Sequence, residues 1–298
     1  MLLLTALACT STNSSEIAGF DDAMPEWSLQ SDMPVDSSLA RDGEVGFYHL
    51  KAGYASQAVN GMLEGVLMPL EGLRELEPEW EDEENNIVRY GPDKREGESV
   101  ERQLLIEWPQ DDSRIWTVQE NAGQGWVTVF EGVVDAGSTD EDSSGEVTAW
   151  FDLMVAEDNP GPPTGTFFAD YADSPTEVEV YSDFDSVQIG PDLLTSKIHF
   201  QTLGGDGGNV DFEFSDENVS PGPGLEVAIG HGRWMPDGAG RADVRVIDGD
   251  QGEGTLSECW GKLFEVVYST NSWAEPVDVG VETDCPPDFQ EAQYPPAP

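Results

Sequence analysis

Three histidines and three cysteines are all that this 298-residue chain offers for zinc ligation or Cys–His catalysis, so both chemistries are nearly excluded by counting. His49, His199 and His231 are far apart in sequence, and each reads as a hydrogen-bonded strand or loop residue. His231 lies in Gly-His-Gly-Arg-Trp, where the flanking glycines indicate a bulge or sharp bend. A glycosidase needs two carboxylates across a cleft, a requirement that 60 acidic residues satisfy without specificity. Asp140 to Gly145 has acids at positions one and three and glycine at six of a calcium-loop template, but Phe151 stands where the template needs Glu. The runs 204–209 and 248–253 could wrap an ion, and read equally as hairpin loops. There is no G-x-S-x-G elbow and no phosphate-binding G-x-x-x-x-G-K-[ST]. Trp108, Trp116, Trp126 and Trp150 could stack on sugar rings, although core packing is their simpler use. The expectation is a non-catalytic protein with no catalytic residues, no cofactor and no metal.

Charge narrows the partners. Thirteen Lys and Arg against 60 Asp and Glu give a net charge of −47. Phosphate binding needs cations that release counterions, so nucleic acid is excluded as a partner. An anionic membrane surface is excluded on the same ground. A carboxylate surface suits an acidic exported protein or one adapted to salt, where screening suppresses self-repulsion. Apolar residues at 38% are still enough for a real core.

The elements that would carry these residues follow from the patterning. Residues 10–46 are rich in Ser, Asp, Pro and Gly and read as a tether leading into irregular structure. From His49 to Glu77, Leu50, Tyr54, Ala58, Met62, Leu63, Val66, Leu67, Leu70, Leu73 and Leu76 recur at three- and four-residue steps, the mark of one helix face. Pro69 predicts a break near Met68 and a short second helix. The acidic run Glu77–Glu84 reads as a solvated loop.

After Ile87 the period becomes two. Strands are predicted over Val100–Trp108, Arg114–Glu120, Trp126–Val134, Glu146–Val155, Thr166–Tyr171 and Glu177–Ser182. Six more are predicted over Lys197–Leu203, Asn209–Ser215, Leu225–Ile229, Arg241–Ile247, Thr255–Trp260 and Phe264–Ser269. Short Gly-, Asn- and Pro-rich turns between them make neighbours antiparallel, because parallel pairs need long crossovers. The fold expected is mainly β: a large curved antiparallel meander sheet or open barrel, wet on one face. The helix, with Leu63, Val66, Leu67 and Leu70, should cover the apolar face. Residues 47–285 then form a single β-rich domain with helical segment 50–77, and 286–298 a disordered Pro-rich tail.

Residues 1–8, MLLLTALA, followed by Cys9 resemble the lipobox of bacterial lipoproteins. The resemblance implies that 1–8 is the remnant of a signal peptide, with Ala6, Leu7 and Ala8 at the −3, −2 and −1 positions. It implies that Cys9 carries the lipid, and that the protein is a membrane-anchored envelope component. Thr10 in place of Asp points to the outer membrane, on its periplasmic or surface face. No second apolar run approaches the roughly 20 residues of a membrane-spanning helix, so attachment should be by lipid alone. With Cys9 taken by lipid, Cys259 and Cys285 remain as an even pair suited to one structural disulfide in an oxidising compartment. A redox pair is the alternative, without C-x-x-C spacing.

Lipidated Cys, tether, amphipathic helix and large curved sheet, in that order, are similar in architecture to the periplasmic lipoprotein carriers, which bind acyl chains in half-barrels. That resemblance carries over no functional residue. The runs GRWMPDGAGRADVRV and LSECWGKLFEVVYST look like a group of uncharacterised myxobacterial lipoproteins, which bring no activity with them. The function expected is therefore a binding or structural role with an unidentified lipid or glycan ligand. Alternatives are an acyl-chain carrier and, further off, a polysaccharide-acting enzyme or sugar-binding module.

Overall fold

The computed structural model describes residues 52–53, 55–63, 66, 78–82, 86–94, 99–109, 113–139, 142–154, 164–189, 192–203, 207–217, 226–249, 252–273 and 279–296. The strands are β1 (Trp80–Asp82), β2 (Ile87–Asp93), β3 (Glu101–Glu107), β4 (Arg114–Asn121), β5 (Val127–Val134), β6 (Ser143–Trp150) and β7 (Thr164–Ser174). They continue as β8 (Glu177–Ile189), β9 (Asp192–Leu203), β10 (Gly207–Glu217), β11 (Glu226–Trp234), β12 (Gly240–Asp248), β13 (Gly254–Trp260) and β14 (Val266–Asn271). Each pairs antiparallel with the next, so sheet order equals chain order and the sheet does not close. This is the open meander that the period-two pattern and short turns imply.

Registers run in unbroken rows across the sheet, and alternate rows face opposite ways. One row passes through Val88, Ile106, Trp116, Gly132, Val147, Ala169, Ser182, Ile198, Phe212, Gly230 and Val244. Its large apolar members are buried in one hydrophobic cluster, which marks the inner face. The row beside it passes through Glu107, Ile115, Val133, Glu146, Asp170, Tyr181, His199, Asp211, His231, Asp243 and Ser257 on the outer face. Large rings on the inner face are matched by missing side chains. A Cβ on Gly132 would meet the Trp116 ring at 2.1 Å, and one on Gly230 the Phe212 ring at 2.3 Å. The core is filled by such complementary pairs.

The helix packs on this inner face. Ala52, Ser56, Val59, Leu63 and Val66 are all buried, at steps of four, three, four and three. Ala52 lies over β11, where a Cβ added to Gly232 would stand 3.6 Å from the Ala52 Cβ. The buried stripe is rotated from the predicted one, since Ala58 and Met62 lie at its flank, packed against the core but only partly buried. Small residues allow the helix to approach the sheet closely, so they take the centre. Leu63 and Val66 bear out the expected contact with the apolar face; Leu67, Leu70 and Pro69 lie outside the described residues.

Two expectations are corrected. Part of the acidic run Glu77–Glu84 is not loop, because Trp80–Asp82 pairs with Ile87–Arg89. Main-chain hydrogen bonds form whatever the side-chain charge, and acids on a three-residue edge strand discourage further pairing. The Arg89 guanidinium stacks 5.8 Å from the Trp80 ring and covers it in part. The second correction concerns the Pro-rich end: residues 286–296 are not a loose tail but lie on the outer face of the sheet, held by hydrogen bonds to β11 and β12.

Candidate binding groove on the outer face

The segment 279–296 forms a strap. After β14 the chain turns back, and Val279 exchanges both main-chain hydrogen bonds with Ser269 at 2.9 Å, covering part of the sheet edge. Gly280 has φ +66° and sits against the Val267 carbonyl, where a Cβ would be only 2.1 Å away. Two single-turn 3-10 helices, Glu282–Asp284 and Pro287–Phe289, then carry the chain onto the outer face. Between them Cys285 is disulfide-bonded to Cys259 of β13, with both sulfurs in buried residues.

Beneath the strap is a buried charge network. Arg241 is fully buried, and its Nε donates to Asp243 Oδ1 at 2.8 Å. Its Nη1 donates to the Phe289 carbonyl at 3.0 Å and its Nη2 to Glu282 at 3.1 Å. Arg233 Nη2 donates to Asp243 Oδ2 at 2.9 Å, and the Gln293 backbone N–H reaches the same oxygen at 2.9 Å. Ser257 Oγ donates to Asp243 Oδ1 at 2.6 Å; its one proton is then used, so Tyr294 must donate to it at 2.8 Å. Asp243 thus accepts four hydrogen bonds, and two arginines are balanced by Asp243 and Glu282. Such compensation is what makes buried charge tolerable. Arg245 adds a bond from Nε to the Pro295 carbonyl at 2.9 Å.

Beyond the strap the outer face opens into a groove of about 490 Å³. One wall is Gln293, Tyr294, Pro295 and Pro296. The floor comes from alternate residues of four strands: Tyr181, Lys197 and His199, Asp211 and Glu213, Ile229 and His231. Asp211 bridges the two histidines, its Oδ1 accepting from His231 Nδ1 at 2.6 Å and its Oδ2 lying 3.7 Å from His199 Nδ1. On the far side His199 Nε2 meets Glu179 Oε1 at 2.6 Å. The nearby Asp211 carboxylate, together with Glu179, raises the His199 pKa above its ordinary value, against burial that would lower it. Burial would raise the Asp211 carboxyl, but the neighbouring His199 and His231 imidazoles outweigh it and hold the group well below the usual carboxylate range. The network continues through Glu177 and Gln201, which are hydrogen-bonded, and from Asn209 Nδ2 to Gln201 Oε1 at 2.8 Å. These groups are fixed before any ligand arrives. A second, acid-lined hollow of about 360 Å³ lies between the β5–β6 and β7–β8 turns, bounded by Ser138, Asp142, Asp173 and Glu177.

The groove gathers residues that the sequence left apart. His199 and Asp211 each stand six residues from Gly205, so the hairpin puts them opposite one another, and a longer hairpin sets His231 beside Asp211. Counting outward from the middle of the Gly-Gly-Asp-Gly-Gly run, Asp206, would have paired His199 with Glu213 instead, because the hairpin register, with Leu203 opposite Gly207, is centred one residue earlier. His49 and Cys9 lie outside the described residues. Among the tryptophans, Trp116 is core and Trp108 packs against it, while Trp126 is exposed, and the four do not make a row. Asp142 and Ser144 of the calcium-like run are tied into the β5–β6 turn, the Asp142 backbone N–H donating to Thr139 Oγ1 at 3.1 Å and Ser144 Oγ to Asp135 at 2.7 Å. No family model, curated protein or solved structure matches this chain.

Proposed function

We propose that this protein is a non-catalytic, lipid-anchored envelope protein that binds a ligand in the groove between its C-terminal strap and the outer face of β8–β11. One observation carries this reading: both sides of the groove are built before binding. The wall is pinned by Arg233, Arg245 and Asp243, and the floor by the His199–Asp211–His231 bridge. A site fixed in its binding geometry loses little entropy on association. The inner face supports the same choice. There Trp116, Phe167, Phe184, Phe200 and Trp260 are almost wholly buried, and Gly132 and Gly240 fit closely against the two indole rings, as in a core rather than an acyl-chain cavity.

Anchoring rests on Cys9, the residue that the lipobox resemblance marks, and envelope export accords with the Cys259–Cys285 bridge. The test is intact-protein mass from the membrane fraction, which should include the acyl groups. The Cys9→Ser variant should move to the soluble fraction; unchanged membrane association of that variant would contradict the anchor.

A further inference from the structure

Charge pairing on the groove floor points to one class of ligand. Lys197 stands in register between Asp183 on β8 and Glu213 on β10, and His199 stands between Glu179 and Asp211. Every cationic group on the floor therefore already has carboxylate neighbours. An anionic ligand would have to compete with these carboxylates for the cations of the floor, and would also meet a chain of net charge −47. A neutral polyol faces no such competition. Its hydroxyls both donate and accept, so they can use carboxylate acceptors such as Glu213 and a donor such as Lys197 together. Apolar surfaces complete the match. Tyr181, 38% exposed, stands at one side, with Ile229 in the floor and Pro295 and Pro296 at the other side. Sugar rings present C–H faces to such surfaces and hydroxyls at their rims.

From this we infer that the groove binds a neutral saccharide chain, with Tyr181 as the stacking platform and Glu213, Asp211 and Lys197 as the polar contacts. The inference rests on reading the groove as the binding surface. A volume of about 490 Å³ lies within the usual range for small-ligand sites, and the groove is open, so it suits a chain segment rather than an enclosed monosaccharide.

The chain has only three histidines, so the ring signals of His199 and His231 are direct NMR reporters of the groove. The full chain is titrated separately with the β-1,4-linked hexasaccharides of glucose, N-acetylglucosamine and mannose, with α-1,4-linked glucose hexasaccharide, with a galacturonate hexasaccharide and with a proline-rich decapeptide. At least one neutral hexasaccharide should shift the His199 and His231 signals saturably at about 5 mM or below, while the galacturonate should bind at least about tenfold more weakly. Tyr181→Ala should weaken the neutral sugar about tenfold and Tyr181→Phe should keep most of the affinity, because the ring supplies the contact. Circular dichroism of both variants checks that the exposed site has been changed without unfolding. If no neutral saccharide moves the signals but the peptide does, the saccharide assignment fails and the groove remains the binding surface. If galacturonate binds as tightly as the neutral sugars, the charge argument fails. Silence from every probe overturns the saccharide assignment and counts against the groove as well.

Discussion

Glu146 on β6 and Asp243 on β12 belong to the same outer row of the same sheet, yet their surroundings are opposite. Glu146 is exposed, whereas Asp243 is completely buried and accepts four hydrogen bonds. Strand alternation decides only which face a residue points to. Whether that face meets water depends on what lies over it, and here a strap from the far end of the chain covers β11–β13 and leaves β6 open. The comparison also explains how a chain this acidic gathers Arg233, Arg241 and Arg245 on adjacent strands. They hold the cover down by bonds to the carbonyls of Glu291, Phe289 and Pro295.

The contrast is broken most sharply at its two poles. Asp243→Ala leaves Arg233 and Arg241 with a single carboxylate between them, and should lower stability by about 3–5 kcal/mol in urea unfolding. Glu146→Ala should stay within about 0.5 kcal/mol of the parent. Equal effects would mean that the strap does not separate the two environments. Next comes the staple. The Cys259→Ser, Cys285→Ser double variant should lose about 3–4 kcal/mol, as expected for a loop of 26 residues. Thiol titration of the unfolded, unreduced parent should find neither sulfur free. On the inner face, Gly132→Val drives a side chain into the Trp116 ring and should cost about 1–3 kcal/mol, with a change in tryptophan emission. An unperturbed Trp116 signal would refute the close fit.

The smallest effect is pH-dependent. The His199 pKa is raised above 6.5, so its stabilising pairing is complete below that value and is lost as pH rises through the folded-state pKa. The Asp211 pKa is lowered from 3.8, so its contribution is present above that value and is lost as pH falls through the folded-state pKa. The groove floor should therefore be tightest between these limits. Relative to Asp211→Asn, the parent should show its largest stability advantage in that window; a flat difference from pH 4 to 8 would show that the bridge adds nothing.

Local pattern made most of the sheet legible. Each strand segment inferred from period-two runs overlaps a strand, from β3 through β14, but the one expected over Glu146–Val155 ends at Trp150, where Phe151–Leu153 form a single 3-10 turn that buries Phe151. What escaped had physical causes. β8 runs to Ile189, past the expected end at Ser182, because Asp183, Asp185 and Ser186 mask a strand that continues through a register shift, with Phe184 and Val187 still buried. The helix stripe was displaced because Ala52 and Ser56 carry little hydrophobic signal although their size sets the packing distance. The groove depends on pairings between strands that no local window contains, and even the β9–β10 register is offset by one residue from the centre of its glycine run. The strap was invisible for another reason: three of its anchors are backbone carbonyls, which have no sequence signature, set in a Pro-rich run that resembles a tail.

The central claim is that the strap is part of the folded sheet, both lid of the buried charges and wall of the groove. The backbone N–H of Gln293 tests it directly, since its partner is the buried Asp243 carboxylate at 2.9 Å. Hydrogen exchange resolved at that amide should be slow, comparable with the amides of β12, and should become fast in Asp243→Ala. Exchange of Gln293 in the parent at the rate of an unstructured peptide would contradict the account.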